Sequence, residues 1–103
     1  MHSDSFPINL KRLEPKKVIK PVIFVCWAPK AKQVHLLGDF NNWNGELHPM
    51  ARQPDGAWRL EVELKHGHHH YLFRVDGQKT LDPRAQGIAR HQNGQRVSLI
   101  AVS

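Results

Sequence analysis

Short apolar runs separated by turn residues dominate the chain from Val18 onward. The clearest run, residues 58–65, alternates apolar and charged side chains, which is the two-residue period of a strand with one buried face. Its apolar members are Trp58, Leu60, Val62 and Leu64. No segment sustains the period of about 3.6 residues that marks an amphipathic helix. The pattern therefore predicts an all-β domain.

The remaining runs predict further strands. Residues 22–27 are apolar at every position, which predicts a strand covered on both faces, and residues 33–37 predict a short central strand. Residues 68–75 alternate again, and their predicted core face carries His69, Tyr71, Phe73 and Val75. Shorter strands are predicted at residues 78–81 and 96–102, with glycine turns between the strands. About six to eight short antiparallel strands are typical of an immunoglobulin-like β-sandwich.

Residues 1–17 differ from the rest in composition. Pro7 and Pro15 bracket a segment that admits only one or two helical turns, and lysines follow it closely. We predict a basic, flexible N-terminal extension at residues 1–17 and a single sandwich domain at residues 18–103. The net charge of +6 would suit phosphate contacts. Because the basic residues either crowd the first third or alternate with acids, we expect no specific nucleic-acid partner.

The single cysteine and the hydropathy of the chain indicate where in the cell the protein is located. Cys26 is the single cysteine and lies inside an apolar run, so it is predicted to be a buried, reduced thiol. The first residues lack the apolar core of a secretory signal, and no run approaches the roughly 20 apolar residues of a membrane span. We expect a cytoplasmic location and no membrane partner.

The histidine cluster at residues 66–70 is the first candidate for chemistry. On a strand, His68 and His70 share one face while His69 points to the other, and two ligands do not close a zinc site. The aspartates from Asp39 onward each adjoin a glycine or a proline, where aspartate bonds to the local backbone. The sequence predicts no metal, no cofactor and no catalytic residues, and therefore not an enzyme.

Residues 36–44, L-L-G-D-F-N-N-W-N, place a tryptophan on a polar turn directly after an apolar run. Phe40 can anchor this turn inward, while Asn41 and Asn42 tolerate backbone angles that swing Trp43 outward. An outward indole offers a flat face to a sugar ring, and an inward indole closes the core. These residues alone leave both interpretations open.

Three stretches together resemble a known family. They are A-P-K-A-K-Q-V-H-L-L-G-D-F-N-N-W-N, then D-G-A-W, then G-H-H-H-Y-L-F-R-V-D-G-Q-K-T-L-D-P. They closely resemble the glycogen-binding, isoamylase N-terminal type of carbohydrate-binding module, over Val18 to Val102. That module is an early-set, immunoglobulin-like sandwich found in glycogen branching and debranching enzymes and in the β subunit of AMP-activated protein kinase. The resemblance implies a noncatalytic module with weak affinity for α-glucan, accessory to glycogen metabolism.

The resemblance also implies a site. Sugar-binding members use the tryptophan after F-N-N, a lysine inside Y-K-F and a second tryptophan after D-G-Q. Here the first is Trp43, but the lysine position is Leu72 and the second tryptophan position is Lys79. A late loop of the family falls near Gln95, and Arg74 shares the predicted face of Leu72 and can replace the lost donor. These five residues are the candidate carbohydrate-binding set.

The loss of the second tryptophan and of the lysine supports a second hypothesis. One stacking aromatic and one charged donor are lost, and together they contribute a few kcal/mol on the scale of about 0.5–1.5 and 1.5–3 kcal/mol for such contacts. The alternative is a structural or protein-interaction early-set domain that has lost sugar binding. Its docking surface would be the outward half of residues 22–27 or the basic extension, with a glycogen-metabolising enzyme as the candidate partner.

Overall fold

The computed structural model describes residues 19–103, and the predicted extension at residues 1–17 lies outside them. Eight strands make up the fold: β1 Ile19–Trp27, β2 Val34–Gly38, β3 Ala51–Arg52, β4 Ala57–Lys65, β5 Gly67–Val75, β6 Gln78–Thr80, β7 Gly87–Arg90 and β8 Arg96–Val102. Two single-turn 3-10 helices, Asp39–Asn41 and Gly45–Leu47, follow β2.

The strands form two antiparallel sheets that pack as a sandwich. The smaller sheet has the order β1-β4-β3, and the larger has the order β2-β5-β8-β7, with β6 pairing the end of β5. In the smaller sheet β1 runs along the whole of β4, from Ile19 opposite Lys65 to Trp27 opposite Ala57. The prediction of an all-β, immunoglobulin-like sandwich is confirmed.

The two alternating strands supply the core as their patterns predict. Leu64 and Phe73 are at most 2% exposed, and Trp58, Val62 and Tyr71 are also buried. Partly buried side chains complete the same cluster, among them the predicted core residues Leu60 and Val75. Removing this apolar surface from water is the main source of stability in a domain of this size.

The prediction that residues 22–27 are covered on both faces is wrong for the part of the chain that the structure describes. Phe24 and Cys26 are buried, but Ile23 is 50% exposed, Val25 39% and Trp27 66%. These exposed side chains lie beside the charged row of β4, with Val25 opposite Arg59 and Ile23 opposite Glu61. An apolar run shows that both faces of a strand are hydrophobic. It does not show whether another part of the chain packs against the second face.

The prediction of a central strand at residues 33–37 is also wrong, because β2 lies at one end of the larger sheet. Every residue of β2 is nevertheless buried. The backbone that follows the second 3-10 helix covers its outer edge: the N–H of Leu36 donates to the carbonyl of His48 at 3.0 Å, and the N–H of Met50 donates to the carbonyl of Val34 at 2.9 Å. These loop residues bury β2 although it is an edge strand. They follow closely after the turn that carries Trp43.

Candidate functional site

The turn after β2 is built around the buried carboxamide of Asn41, which is 4% exposed. Its Oδ1 accepts from the N–H of Gly38 at 3.0 Å, and its Nδ2 donates to the carbonyl of Leu36 at 3.0 Å. The same Nδ2 lies 2.8 Å from Nδ1 of His48. Because these bonds satisfy buried polar groups in a fixed geometry, they hold the turn in a single conformation.

Phe40 and Trp43 leave this turn in different directions. Phe40 packs inward, with its ring centroid 5.9 Å from that of Phe24. Asn42 and Trp43 both adopt the left-handed backbone conformation, with φ of 56° and 59°. The N–H of Trp43 donates to the carbonyl of Gly38 at 2.8 Å, which closes the turn. Trp43 is half-buried and is not part of the buried core cluster.

The outer face of the larger sheet carries a small apolar floor. Leu37 and Leu72 pair directly across β2 and β5, and each is only 3% exposed although both point away from the sandwich core. Val97 of β8, on the same face, has no exposed surface. Loops that cross the outer face must cover these side chains, and the Trp43 turn begins at the end of β2.

The face also carries two cationic side chains. Arg74 pairs with Lys79 across β5 and β6, so both side chains lie on the outer face. The guanidinium of Arg74 donates to Oε2 of Glu46 at 2.7 Å, and this ion pair connects β5 to the second 3-10 helix. Lys79 is exposed. Lys79 is therefore an exposed donor on this face, whereas part of the hydrogen-bonding capacity of Arg74 is already used.

Two histidines that the sequence analysis did not assign to a site also lie on this face. The ring centroid of His91 is 5.0 Å from that of Trp43, with the planes at 88°. The ring of His70 lies 5.6 Å from that of His91. No motif marks His91, and its contact joins residues far apart in the chain, so the sequence carries no signal for it.

The five candidate residues occupy three kinds of position. Trp43, Arg74 and Lys79 lie at the surface of the outer face, Leu72 is buried in the floor beneath it, and Gln95 lies in the hairpin that carries His91. Contact of these five residues with a sugar stays a prediction.

The histidine cluster is divided between the two faces of β5, as alternation predicts. His69 points inward, where Nδ1 lies 3.2 Å from Oδ1 of Asp39 and Nε2 lies 2.8 Å from the carbonyl oxygen of Lys65. Within residues 19–103, no three histidine, cysteine, aspartate or glutamate side chains are grouped as metal ligands.

A separate groove of about 650 Å³ opens between β1 and the segment after β6. Asp82 lies in its lining, and its Oδ2 accepts a hydrogen bond of 2.6 Å from the Tyr71 hydroxyl. Burial, followed by this hydrogen bond and the charge of Asp82, raises the pKa of Tyr71. Burial, followed by the charge of Asp82, also raises the pKa of the Cys26 thiol. The raised pKa values keep both the phenol and the thiol protonated at neutral pH.

The outer face of this β-sandwich combines a half-buried aromatic ring, a buried apolar floor and polar side chains, which are the features of a binding module. The chain matches the family model of carbohydrate-binding module 48, the isoamylase N-terminal domain, over residues 12–99. It belongs to that family.

Similar proteins include large enzymes of which this chain resembles one part. It is 54% identical over 83 residues to a 1,4-alpha-glucan branching enzyme of Synechococcus elongatus, which covers 78% of this chain and 11% of the enzyme. It is 42% identical over 59 residues to the corresponding enzyme of Deinococcus radiodurans, covering 57% of this chain and 8% of that enzyme. The chain thus spans only about a tenth of the length of these relatives. Within residues 19–103, no helix has the length and apolar character needed to cross a membrane.

Proposed function

We propose that this chain is a noncatalytic module that binds α-glucan weakly and serves as an accessory in glycogen metabolism. The observation that carries the proposal is the placement of Trp43, which is half-buried on a turn with left-handed backbone angles and lies outside the buried core. The apolar face of a glucose ring stacks on an indole, and its hydroxyls accept or donate hydrogen bonds at the rim. The name of the relatives specifies a 1,4-α-glucan, which supports that ligand class.

The expected affinity follows from the small number of contacts. One stacked face and two or three exposed hydrogen bonds, after ordering losses, give a dissociation constant of roughly 0.1–1 mM, or about 4–5.5 kcal/mol. Lys79 is a candidate hydroxyl donor because it is exposed on the same face.

The test compares Trp43, on the turn after β2, with Trp27, on a strand of the smaller sheet. Affinity electrophoresis through glycogen and calorimetric titration with maltoheptaose are carried out on the wild type, Trp43→Ala and Trp27→Ala. Trp27 is the matched control, because it is 66% exposed and lies on β1 of the other sheet. We expect Trp43→Ala to abolish retardation and heat release while Trp27→Ala retains both. Thermal melting is recorded for both variants to check that they are folded.

A different pair of results would contradict the proposed role of Trp43. If Trp43 serves only to cover the apolar floor, Trp43→Ala destabilises the fold by about 3–5 kcal/mol, as truncation of a buried aromatic does. Glucan then leaves the fluorescence of the wild type unchanged. This combination would exclude Trp43 as a sugar platform.

A second candidate function rests on the exposed row of β1. Its outward side chains Ile19, Ile23, Val25 and Trp27 are 39–66% exposed, and large exposed apolar rows are typical of protein interfaces. On this proposal the domain docks on a glycogen-metabolising enzyme and binds no sugar. A pull-down with a branching enzyme, lost in Ile23→Lys, together with unretarded migration of the wild type in glycogen gels, would favour it over the first proposal.

A further inference from the structure

The contact between Trp43 and His91 joins two loops that no strand pairing connects. Their ring centroids are 5.0 Å apart and the planes are nearly perpendicular, at 88°. This separation and angle correspond to the edge-to-face arrangement that aromatic rings prefer. With the rings in this arrangement, the indole cannot rotate about its side-chain bonds without losing the contact or striking the imidazole.

The hairpin between β7 and β8 fixes His91 in place. The N–H of His91 donates to the carbonyl of Gln95 at 2.9 Å, and the N–H of Gly94 donates to the carbonyl of His91 at 2.8 Å. Asn93 adds a further bond within the hairpin, since its Oδ1 accepts from the N–H of Gln95 at 2.9 Å. These bonds fix the backbone from which the imidazole projects.

His70 lies beside the imidazole of His91 and is itself hydrogen-bonded to the Trp43 turn. Its ring lies 5.6 Å from that of His91. Its backbone N–H donates at 2.9 Å to Oδ2 of Asp39, the first residue of the 3-10 helix that leads to Trp43. The two loops and β5 thus form one connected unit around the indole.

We propose that His91 is a positioning residue of the glucan site, which holds the indole of Trp43 across the outer face and is backed by His70. The inference rests on the proposed function and deepens it. Trp43 is only half-buried and leaves a left-handed backbone position, so its own turn does not fix the ring. The lateral contact with His91 supplies that restraint, so a glucan meets an ordered surface and less freedom is lost on binding.

The test measures maltoheptaose binding by calorimetry for four variants of the full chain. His91→Ala removes the supporting ring and should weaken binding about three- to ten-fold, the range that an aromatic contact of this kind contributes. His91→Phe retains an aromatic ring and should remain within about two-fold of the wild type. Gln92→Ala, the exposed neighbour in the same hairpin, is the control and should bind like the wild type. Trp43→Ala tests the platform itself.

The outcomes separate the inference from the function on which it rests. Loss of affinity in His91→Ala with rescue in His91→Phe supports the inference, because a general loss of hairpin structure would not be rescued by one ring. Wild-type affinity in His91→Ala, alongside lost binding in Trp43→Ala, overturns the inference and leaves the glucan function intact. Equal weakening in His91→Ala and His91→Phe also overturns it. Unchanged binding in Trp43→Ala overturns both.

Discussion

Tyr71, the single tyrosine of the chain, is predicted to set the upper pH limit of the fold. Its side chain is 3% exposed, and its hydroxyl donates to Oδ2 of Asp82 at 2.6 Å. Burial first, and then the bond to Asp82 and the negative charge of that carboxylate, raise the pKa of the phenol. The perturbation is a rise in pH from 8 towards 13, applied to the wild type and to Tyr71→Phe.

Stability is expected to fall as the pH rises, because protonation and folding are linked. In the unfolded chain a phenol loses its proton near pH 10, whereas the buried Tyr71 keeps it to a higher pH. The resulting stabilisation is fully present below about pH 10 and is lost above it, at about 1.4 kcal/mol per pH unit. The Cys26 thiol, whose pKa is raised by burial and then by Asp82, adds a loss of the same sign. A domain with about 5–8 kcal/mol of stability should therefore unfold near pH 12–13.

Phenolate absorbance near 295 nm and far-ultraviolet circular dichroism, recorded on one sample, test this prediction. Because the chain has one tyrosine, the absorbance reports on Tyr71 alone. We expect phenolate to appear only as the strand signal is lost, and we expect Tyr71→Phe to show a shallower decline in stability above about pH 10. At neutral pH this variant should lose about 1–3 kcal/mol, because Asp82 loses its hydroxyl donor. Phenolate formation near pH 10 in a folded protein would refute the reasoning.

Three further predictions concern the site, the core and the N-terminal segment. Lys79→Trp, on the outer face opposite Arg74, should rebuild a second stacking surface and tighten maltoheptaose binding by about two- to ten-fold, and an unchanged titration would contradict this. Phe73→Ala, at 1% exposure, should cost about 3–5 kcal/mol in urea unfolding, and a loss below about 1 kcal/mol would contradict its place in the core. Deletion of residues 1–15 should leave the melting temperature nearly unchanged, whereas a fall of more than roughly 8 °C would show that this segment completes the fold.

Strands with one buried face were predictable from the sequence, because alternation records burial directly. β4 and β5 have the inward and outward sides that their patterns indicate, and β8 has the predicted bounds, Arg96–Val102. The position of a strand within its sheet was not predictable in this way. The burial of β2 comes from loop residues that cover its edge, and a hydrophobic run does not distinguish loop cover from strand cover.

The candidate site was only partly predictable, because some of its contacts join residues that are distant in the sequence. The asparagines before Trp43 indicate a turn with left-handed angles, and the structure has them at Asn42 and at Trp43 itself. The contact between Trp43 and His91 depends on the closed shape of a distant hairpin, so neither residue type nor spacing predicts it. β7, Gly87–Arg90, was likewise not predicted, because its four residues show no clear alternation and bury no large apolar side chain.

The left-handed backbone conformation of Trp43 lowers thermal stability, whereas its indole is proposed to bind the ligand. A bulky residue with φ of 59° is strained by about 1–2 kcal/mol, and glycine or asparagine would relieve that strain at the same position. The backbone strain therefore favours a small residue at position 43, and ligand binding by the half-buried indole opposes it. Libraries of this chain randomised at position 43 and screened for heat resistance should enrich glycine and asparagine, whereas the same libraries passed over immobilised glycogen should retain tryptophan.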